Sequence, residues 1–221
     1  MQRDDIEDEC DDEEHQPERE GRAMAGGLLI HPFAQWFGGR SVPTGGIGAT
    51  GNGEAFGRAY ELPNETAYCE TCAAIGNVYW NHQMFLLQGE GRYIDVLERT
   101  MVNAALSGIS LEGDWFFYPN VLESIGQHGR SPWFGCACCP SNVARFIPSV
   151  PGFAYAVKDN DVYVNLFLGS EVTLDAAGKQ LKLVQETRYP WDGQVKIQVE
   201  PERAGRFAVL LRIPGFDFTL N

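Results

Sequence analysis

Hydrophobic positions along the chain change their period near residue 152. From Ala73 to Leu87 and from Tyr93 to Leu106, apolar side chains recur at roughly helical spacing, and Gly89-Glu90-Gly91 separates the two runs. This spacing predicts two consecutive helices. A third, short helical stretch follows around Asn142 to Phe146, and two prolines then end the helical pattern.

Beyond that point, apolar, aromatic and β-branched residues form short runs separated by turn residues. These runs predict strands of an antiparallel sheet at Val162 to Leu168, Gln180 to Val184, Gln194 to Val199 and Phe207 to Ile213. The predicted fold class is therefore α+β, with a helical part before about residue 152 and a β part after it. Because the sheet ends without a closing element, we expect the chain to be truncated.

The N-terminal segment differs in composition from the rest of the chain. Residues 1 to 20 hold eleven acidic residues against Arg3 and Arg19, so most of the formal net charge of −13 belongs to this segment. Such a stretch cannot bury enough apolar surface to offset its ordering entropy. It therefore predicts a disordered acidic tail.

The remaining pattern of charge and hydropathy excludes several classes of function. Lysine and arginine are scattered singly, which argues against nucleic-acid binding. The longest apolar runs, Phe153 to Val157 and Phe207 to Leu211, contain five residues, whereas a membrane helix needs about 20. No apolar leader follows the N-terminus, so we expect a cytoplasmic protein without a membrane partner.

Five cysteines fall into two clusters, Cys69-Glu70-Thr71-Cys72 and Cys136-Ala137-Cys138-Cys139, while Cys10 lies in the acidic tail. Without an export signal, free or metal-bound thiols are expected rather than disulfides. Paired thiolates with an adjacent carboxylate suit Zn²⁺, which takes four tetrahedral ligands.

Local geometry indicates which groups would face such an ion. Residues i and i+2 of an extended segment project to one side, so Glu70 and Cys72 would point together and Cys69 would point away. Cys138 and Cys139 precede a proline, which is typical of the first turn of a helix. The positive end of a helix dipole lowers the pKa of a thiol, as does a metal, so both thiolates are plausible ligands.

The residues alone leave other interpretations of the cysteines open. Cys-x-x-Cys is also the spacing of a redox pair, although no thioredoxin-like βαβ pattern surrounds it here. Each cysteine is also compatible with a small buried hydrophobic residue. A zinc ion with a purely structural role would use the same ligands.

Several sequence blocks resemble those of a known enzyme family. They are Thr44-Gly45-Gly46-Ile47-Gly48, Glu61 to Ala73, Asp95 to Arg99, Phe117-Tyr118-Pro119-Asn120 and Trp133 to Pro140. Together they resemble the zinc-dependent β-L-arabinofuranosidases of glycoside hydrolase family 127. In that family a helical (α/α) barrel precedes β-sandwich domains, and the enzymes release β-L-arabinofuranose with retention of configuration.

The resemblance implies a domain organisation. Residues 1–43 would form the acidic disordered tail and an unmatched linker, residues 44–151 part of the catalytic barrel, and residues 152–221 part of a β-sandwich. The half of the barrel that precedes the Thr44 block in the family has no counterpart here. The resemblance therefore implies a fragment, and the sequence does not indicate its oligomeric state.

The resemblance also assigns roles to individual residues. The zinc ligands of the family fall on Glu70, Cys72, Cys138 and Cys139. Cys138 would be the nucleophile, and the acid/base glutamate of the family falls on Glu54. The implied cofactor is Zn²⁺, and the implied partner is an arabinose-containing oligosaccharide or glycan.

Two functional hypotheses follow. The first is a retaining glycoside hydrolase that releases L-arabinofuranose from β-L-arabinofuranosides through a zinc-bound cysteine nucleophile. The second is a non-catalytic remnant with a structural zinc site or a carbohydrate-binding role. Glu98 on the second helix could hydrogen-bond substrate, but a charged helix position more commonly faces solvent, which we expect here. Tyr118 and Trp133 could stack on a sugar face, but such aromatics more commonly belong to the hydrophobic core, where we expect them.

Overall fold

A computed structural model of the chain describes residues 44–58, 61, 63–176 and 178–215. The predicted acidic tail, the linker up to residue 43 and Cys10 lie outside these residues. The chain divides into two compact units. Within the described residues, the first unit holds residues 44–79 and 99–145, and the second holds residues 80–98 and 146–215.

Three α-helices form where the sequence predicts them. Helix α1 spans Thr71–Gln88, α2 spans Gly91–Thr100, and α3 spans Cys138–Phe146. Helix α1 ends before Gly89, whose φ of 73° is the left-handed conformation that commonly terminates a helix. No helix in the described part of the chain is both long enough and apolar enough to cross a membrane.

The second predicted helix, Tyr93 to Leu106, is not one continuous α-helix. After α2 the chain forms a π-helical turn over Met101–Ala105 and a 3₁₀ turn over Leu106–Gly108. Side chains compete with the backbone here, because Asn103 and Ser107 each bond to the carbonyl oxygen four residues earlier. The apolar spacing persists through this change, so the sequence pattern does not reveal it.

The described residues of the second unit form six strands, two more than the sequence predicts. They are β1 Tyr155–Lys158, β2 Asp161–Val164, β3 Ser170–Asp175, β4 Gln180–Thr187, β5 Val195–Pro201 and β6 Ala208–Leu211. They form two three-stranded sheets, with the orders β1-β2-β6 and β3-β4-β5.

Three of the four strand pairs are antiparallel, as predicted, whereas β6 runs parallel to β2. The chain passes through the whole of the other sheet between β2 and β6. A connection of this length permits parallel pairing, which a short hairpin does not.

Buried and more exposed side chains alternate along β4, and the buried ones form part of the core of the second unit. Leu181 and Leu183 are buried together with Val162 of β2 and with Ala176. Partly buried residues pack against this group: Tyr155, Val172, Leu174, Ile197 and Phe207. This is the inward and outward pattern expected of a strand with one face on the core.

Glu98 does not face solvent, which corrects the expectation from its helical position. It is only 8% exposed, and its Oε2 lies 2.7 Å from a guanidinium nitrogen of Arg212. Arg212 also contacts Asp95 at 2.6 Å and donates to the carbonyl oxygen of Asn165. A buried charge requires such pairing, and the sequence gives no sign of a partner that lies 114 positions away.

Candidate functional site

Four of the residues assigned from the sequence come together in the first unit. One ligand atom from each of Glu70, Cys72, Cys138 and Cys139 lies within 4.8 Å of the other three. Cys139 is fully buried and Glu70 is 8% exposed, while Cys72 and Cys138 are half-buried. We refer to these four residues as the Glu–Cys cluster.

Two helix starts bring these side chains together. Glu70 immediately precedes α1 and Cys72 lies in its first turn, while Cys138 and Cys139 are the first two residues of α3. Glu70 and Cys72 do converge, but Cys72 is already helical, so the extended segment assumed from the sequence is not the reason. The convergence arises where the chain enters α1.

The aromatic segment before residue 120 holds the start of α1 in place. The Thr71 backbone N–H donates to the carbonyl oxygen of Tyr118 at 3.0 Å, and the Thr71 hydroxyl donates to that of Phe117 at 2.8 Å. The Asn120 backbone N–H donates to the carbonyl oxygen of Tyr68. These bonds fix the backbone on either side of Glu70.

The spacing of the cluster fits a tetrahedral zinc site. With Zn–S near 2.3 Å and Zn–O near 2.0 Å, tetrahedral angles place ligand sulfurs about 3.8 Å apart and sulfur and oxygen about 3.5 Å apart. The sulfur of Cys72 lies 3.7 Å from that of Cys138 and 3.5 Å from that of Cys139, and the latter two are 3.8 Å apart. Oε1 of Glu70 lies 3.5 Å from the sulfurs of both Cys138 and Cys139. The donor set and its spacing therefore fit Zn²⁺.

The protein alone does not provide a thiolate at Cys138. Burial raises the pKa of the Cys138 thiol to about 12. The hydrogen bond with Cys72, together with burial, raises the pKa of Cys139, whereas the same bond lowers the pKa of Cys72. The lowering expected at the start of a helix is therefore outweighed at Cys138 and Cys139, and a bound cation would lower the pKa of both thiols.

Tyr118 contacts the cluster directly, a role that sequence reasoning missed. Its hydroxyl oxygen lies 2.9 Å from the sulfur of Cys138, and its ring packs edge-on against Phe134. Burial and the hydrogen bond with Cys138 both raise the pKa of Tyr118, which keeps the hydroxyl protonated. The sequence block around Tyr118 marks this residue but does not indicate what its hydroxyl contacts. Trp133, also expected in the core, is instead 64% exposed.

Glu54 lies outside the Glu–Cys cluster, in a short 3₁₀ turn at Asn52–Glu54. Its side chain is exposed, and its Oε1 accepts a hydrogen bond from the hydroxyl of Tyr68 at 3.0 Å. The Tyr68 ring lies 6.3 Å from the ring of Tyr118, between centroids. Burial, followed by the bond to Glu54, raises the pKa of Tyr68. Tyr68 therefore contacts Glu54, Tyr118 contacts Cys138, and the rings of the two tyrosines are neighbours.

The other cysteines and histidines of the described residues take no part in the cluster. Cys69 is buried, its pKa is raised to about 11 by burial, and it lies outside the cluster, as the sequence predicts. Cys136 also lies outside it. His128 stacks on Phe117 and bonds to the carbonyl oxygen of Pro119, and His82 packs against Phe153.

Comparison with protein families gives two matches along the chain. The β-L-arabinofuranosidase catalytic domain of glycoside hydrolase family 127 matches residues 37–152. The middle domain of the same family matches residues 161–220. The catalytic-domain match contains Glu54 and all four residues of the Glu–Cys cluster.

Individual relatives agree with these matches. A non-reducing end β-L-arabinofuranosidase of Bifidobacterium longum subsp. longum is 39% identical over 194 residues, which cover 80% of this chain and 29% of that protein. The structure of a family 127 β-arabinofuranosidase shares 55% sequence identity and a TM-score of 0.78, and the match covers 83% of this chain and 29% of the other.

A second structure, of a family 127 β-L-arabinofuranosidase from Geobacillus stearothermophilus T6, shares 41% identity and a TM-score of 0.78 over 83% of this chain and 31% of the other. The chain thus spans less than a third of the length of each of these relatives. The similarity confirms the fold class expected from the sequence, in which helices of a partial (α/α) barrel precede a β-sandwich portion.

Proposed function

Since this chain belongs to the β-L-arabinofuranosidase family, glycoside hydrolase family 127, we propose that it carries the reaction centre of a retaining hydrolase of β-L-arabinofuranosides. Cys138 is the nucleophile and Glu54 is the acid/base group. The Glu–Cys cluster holds Zn²⁺. The substrate is the non-reducing end of an arabinose-containing glycan, in line with the activity named for the Bifidobacterium relative.

One observation carries this proposal: a half-buried sulfur, that of Cys138, belongs to the Glu–Cys cluster and also lies 2.9 Å from the hydroxyl oxygen of Tyr118. Cys139 is fully buried, so its sulfur has no access to a sugar. A purely structural zinc site does not require a hydroxyl directed at one of its sulfurs. This arrangement favours Cys138 as the reacting group.

In the first step, the sulfur of Cys138 attacks the anomeric carbon of the sugar. The bond to the leaving oxygen breaks as the carboxyl group of Glu54 gives that oxygen its proton. The product is a thioglycosyl intermediate on Cys138. Zn²⁺ held by the cluster would keep Cys138 as a thiolate at neutral pH, which burial alone prevents.

In the second step, the Glu54 carboxylate takes a proton from a water molecule. The oxygen of this water attacks the anomeric carbon and the carbon–sulfur bond breaks, which returns Cys138 to the thiolate. Two displacements at one carbon retain its configuration. Tyr118 donates its hydrogen bond to the sulfur as negative charge returns there, and Glu70, Cys72 and Cys139 hold the cation.

The experiment is hydrolysis of an aryl β-L-arabinofuranoside by the zinc-loaded chain and by two serine variants. Cys138→Ser replaces the proposed nucleophile, and Cys136→Ser is a matched control in the same segment but outside the cluster. We expect the wild type and Cys136→Ser to hydrolyse the substrate and Cys138→Ser to be inactive. Wild type that binds zinc without hydrolysis would instead indicate the structural or carbohydrate-binding role, and full activity of Cys138→Ser would exclude a cysteine nucleophile.

A further inference from the structure

Tyr68 donates a hydrogen bond from its hydroxyl to Oε1 of Glu54 at 3.0 Å. We propose that Tyr68 is a positioning residue for acid/base catalysis: it occupies Oε1 of Glu54 and so directs the transferable proton to Oε2. This inference rests on the role proposed above for Glu54 and adds a residue to that reaction centre.

Glu54 needs an external restraint. Its side chain is exposed, and among the described residues Tyr68 is the one side chain that hydrogen-bonds its carboxylate. A glutamate side chain that is free in solvent samples several rotamers, and fixing one of them costs conformational entropy. An acid/base group must be in place before the substrate reacts, so a fixed partner for one oxygen removes part of this cost from the reaction step.

The backbone at Glu54 points to the same conclusion. Glu54 has a φ of 46°, in the left-handed region that non-glycine residues rarely adopt. Residues held in this region occur preferentially at functional sites, where the surroundings impose the conformation. Here an antiparallel bridge between Thr50 and Ala55 closes the turn around Glu54.

Tyr68 is itself held against the loop that carries Glu54. A Cβ atom on Gly51 would lie 3.2 Å from Cδ2 of Tyr68, so the ring rests directly on the Gly51 backbone. The next residue, Cys69, donates its backbone N–H to the carbonyl oxygen of Gly48 at 3.1 Å. The ring and the backbone of Tyr68 are therefore fixed relative to Glu54 by separate contacts.

The hydrogen bond suits both steps of the reaction. A phenol has an ordinary pKa of about 10, so the Tyr68 hydroxyl is a donor at neutral pH. It donates to Oε1 when Glu54 is a carboxylate and also when Glu54 is a carboxylic acid, because Oε1 then remains an acceptor if the proton is on Oε2. The proton thus leaves from Oε2 in the first step and returns to it in the second.

The test compares two L-arabinofuranosides with different leaving groups in the zinc-loaded chain. An alkyl alcohol leaves only when it is protonated, whereas 2,4-dinitrophenolate leaves without a proton. We expect Tyr68→Phe to lower kcat/KM, which reports the step in which the leaving group departs, about fivefold for the alkyl glycoside and less than about twofold for the dinitrophenyl glycoside. The fivefold loss corresponds to one hydrogen bond. Glu54→Ala should show the same selectivity with a larger loss.

The control is Tyr155→Phe in β1, which removes a hydroxyl bonded to Ser170 and Gln185. A structural loss of this kind should affect both glycosides equally. Equal losses for both glycosides in Tyr68→Phe, or no loss for the alkyl glycoside, would overturn the proposal for Tyr68 while the function itself stood.

If the wild type hydrolyses neither glycoside, the proposed function fails and the catalytic role of Tyr68 fails with it, while a second measurement decides whether the Tyr68 hydroxyl holds the Glu54 carboxylate. The equilibrium constant for unfolding is measured for Tyr68→Phe, Glu54→Ala and the double variant. If the two side chains share a direct hydrogen bond, the effects of the single substitutions on this equilibrium constant are not independent. We expect the equilibrium constant of the double variant to differ about threefold from the value obtained by multiplying the two single effects. Independent effects would show that the hydroxyl does not hold the carboxylate.

Discussion

The hydroxyl oxygen of Tyr118 and the sulfur of Cys138 are 2.9 Å apart. This contact distinguishes Cys138 from Cys72 and Cys139, because no other hydroxyl in the described part of the chain bonds to a sulfur of the Glu–Cys cluster. A bond from a neutral hydroxyl to a thiolate stabilises the charged sulfur and fixes the direction from which it can attack.

Replacing Tyr118 by phenylalanine should lower the rate without releasing the metal. We expect kcat/KM for an aryl β-L-arabinofuranoside to fall about tenfold, because one hydrogen bond to a charged group contributes about 1.5 kcal/mol. Tyr163→Phe, in which the ring that packs on Phe85 is kept, is the control and should have normal kinetics. Elemental analysis should find equal zinc in both variants; an unchanged rate for Tyr118→Phe would show that its hydroxyl does not act on the sulfur.

Removing the metal should destabilise the chain. Zinc bound at 100 times its Kd contributes about 2.7 kcal/mol, which for a chain of this length corresponds to about 5–10 °C in the unfolding midpoint. Chelation should lower the midpoint in wild type and in Cys136→Ser, and added zinc should restore it. In Cys139→Ser the midpoint should no longer respond to zinc, and an identical midpoint with and without chelator in wild type would contradict a metal-linked fold.

Arg212 should be one of the most sensitive positions of the second unit. Arg212 is 7% exposed and its guanidinium group pairs with Asp95 and Glu98, so Arg212→Met leaves two acidic groups without their cation. We expect a loss of about 3–5 kcal/mol in the free energy of unfolding, measured by urea denaturation. Arg206→Met, at an exposed position, should change it by less than about 0.5 kcal/mol; similar values for both would mean that the buried pairs do not matter.

Two glycines should respond to alanine in opposite directions. Gly45 has a φ of 79°, and a Cβ there would lie 2.8 Å from Cα of Thr100, so Gly45→Ala should cost about 2–4 kcal/mol. Gly76 lies inside α1 and has open space around the Cβ position, so Gly76→Ala should stabilise the chain by about 0.5–1 kcal/mol. Thermal unfolding of the two variants measures both changes in stability. An unchanged stability of Gly45→Ala would show that the backbone near Thr100 can move aside.

Local sequence patterns were sufficient for α1, for α3 and for the first part of the second predicted helix. The fold class followed in the same way from the change of hydrophobic period near residue 152. Local patterns also place Cys72 and the vicinal pair Cys138-Cys139 beside predicted helix starts. Their meeting is a long-range feature, because Cys72 and Cys138 are 66 positions apart, and it was expected from the shared chemistry of the two clusters and from the family resemblance.

Long-range pairings were not accessible from the sequence. From the sequence, Glu98 was expected to face solvent, because its partner Arg212 is remote in the chain. The parallel pairing of β6 with β2 occurs after the chain has formed all three strands of the other sheet. The hydrophobic pattern of a strand does not indicate whether the strand pairs parallel or antiparallel with its neighbour. The same limit applies to the hydroxyl groups of Tyr68 and Tyr118, because an aromatic residue in a loop does not reveal which atom its oxygen contacts.

In the proposed reaction centre, Glu70, Cys72, Cys138 and Cys139 together bind one zinc ion. The most direct test is elemental analysis of protein purified under reducing conditions, for wild type, Cys72→Ser and Cys136→Ser. We expect about one zinc per chain in wild type and in Cys136→Ser, and a large loss of zinc in Cys72→Ser. Wild type without zinc, or Cys72→Ser with a full complement of it, would contradict the claim.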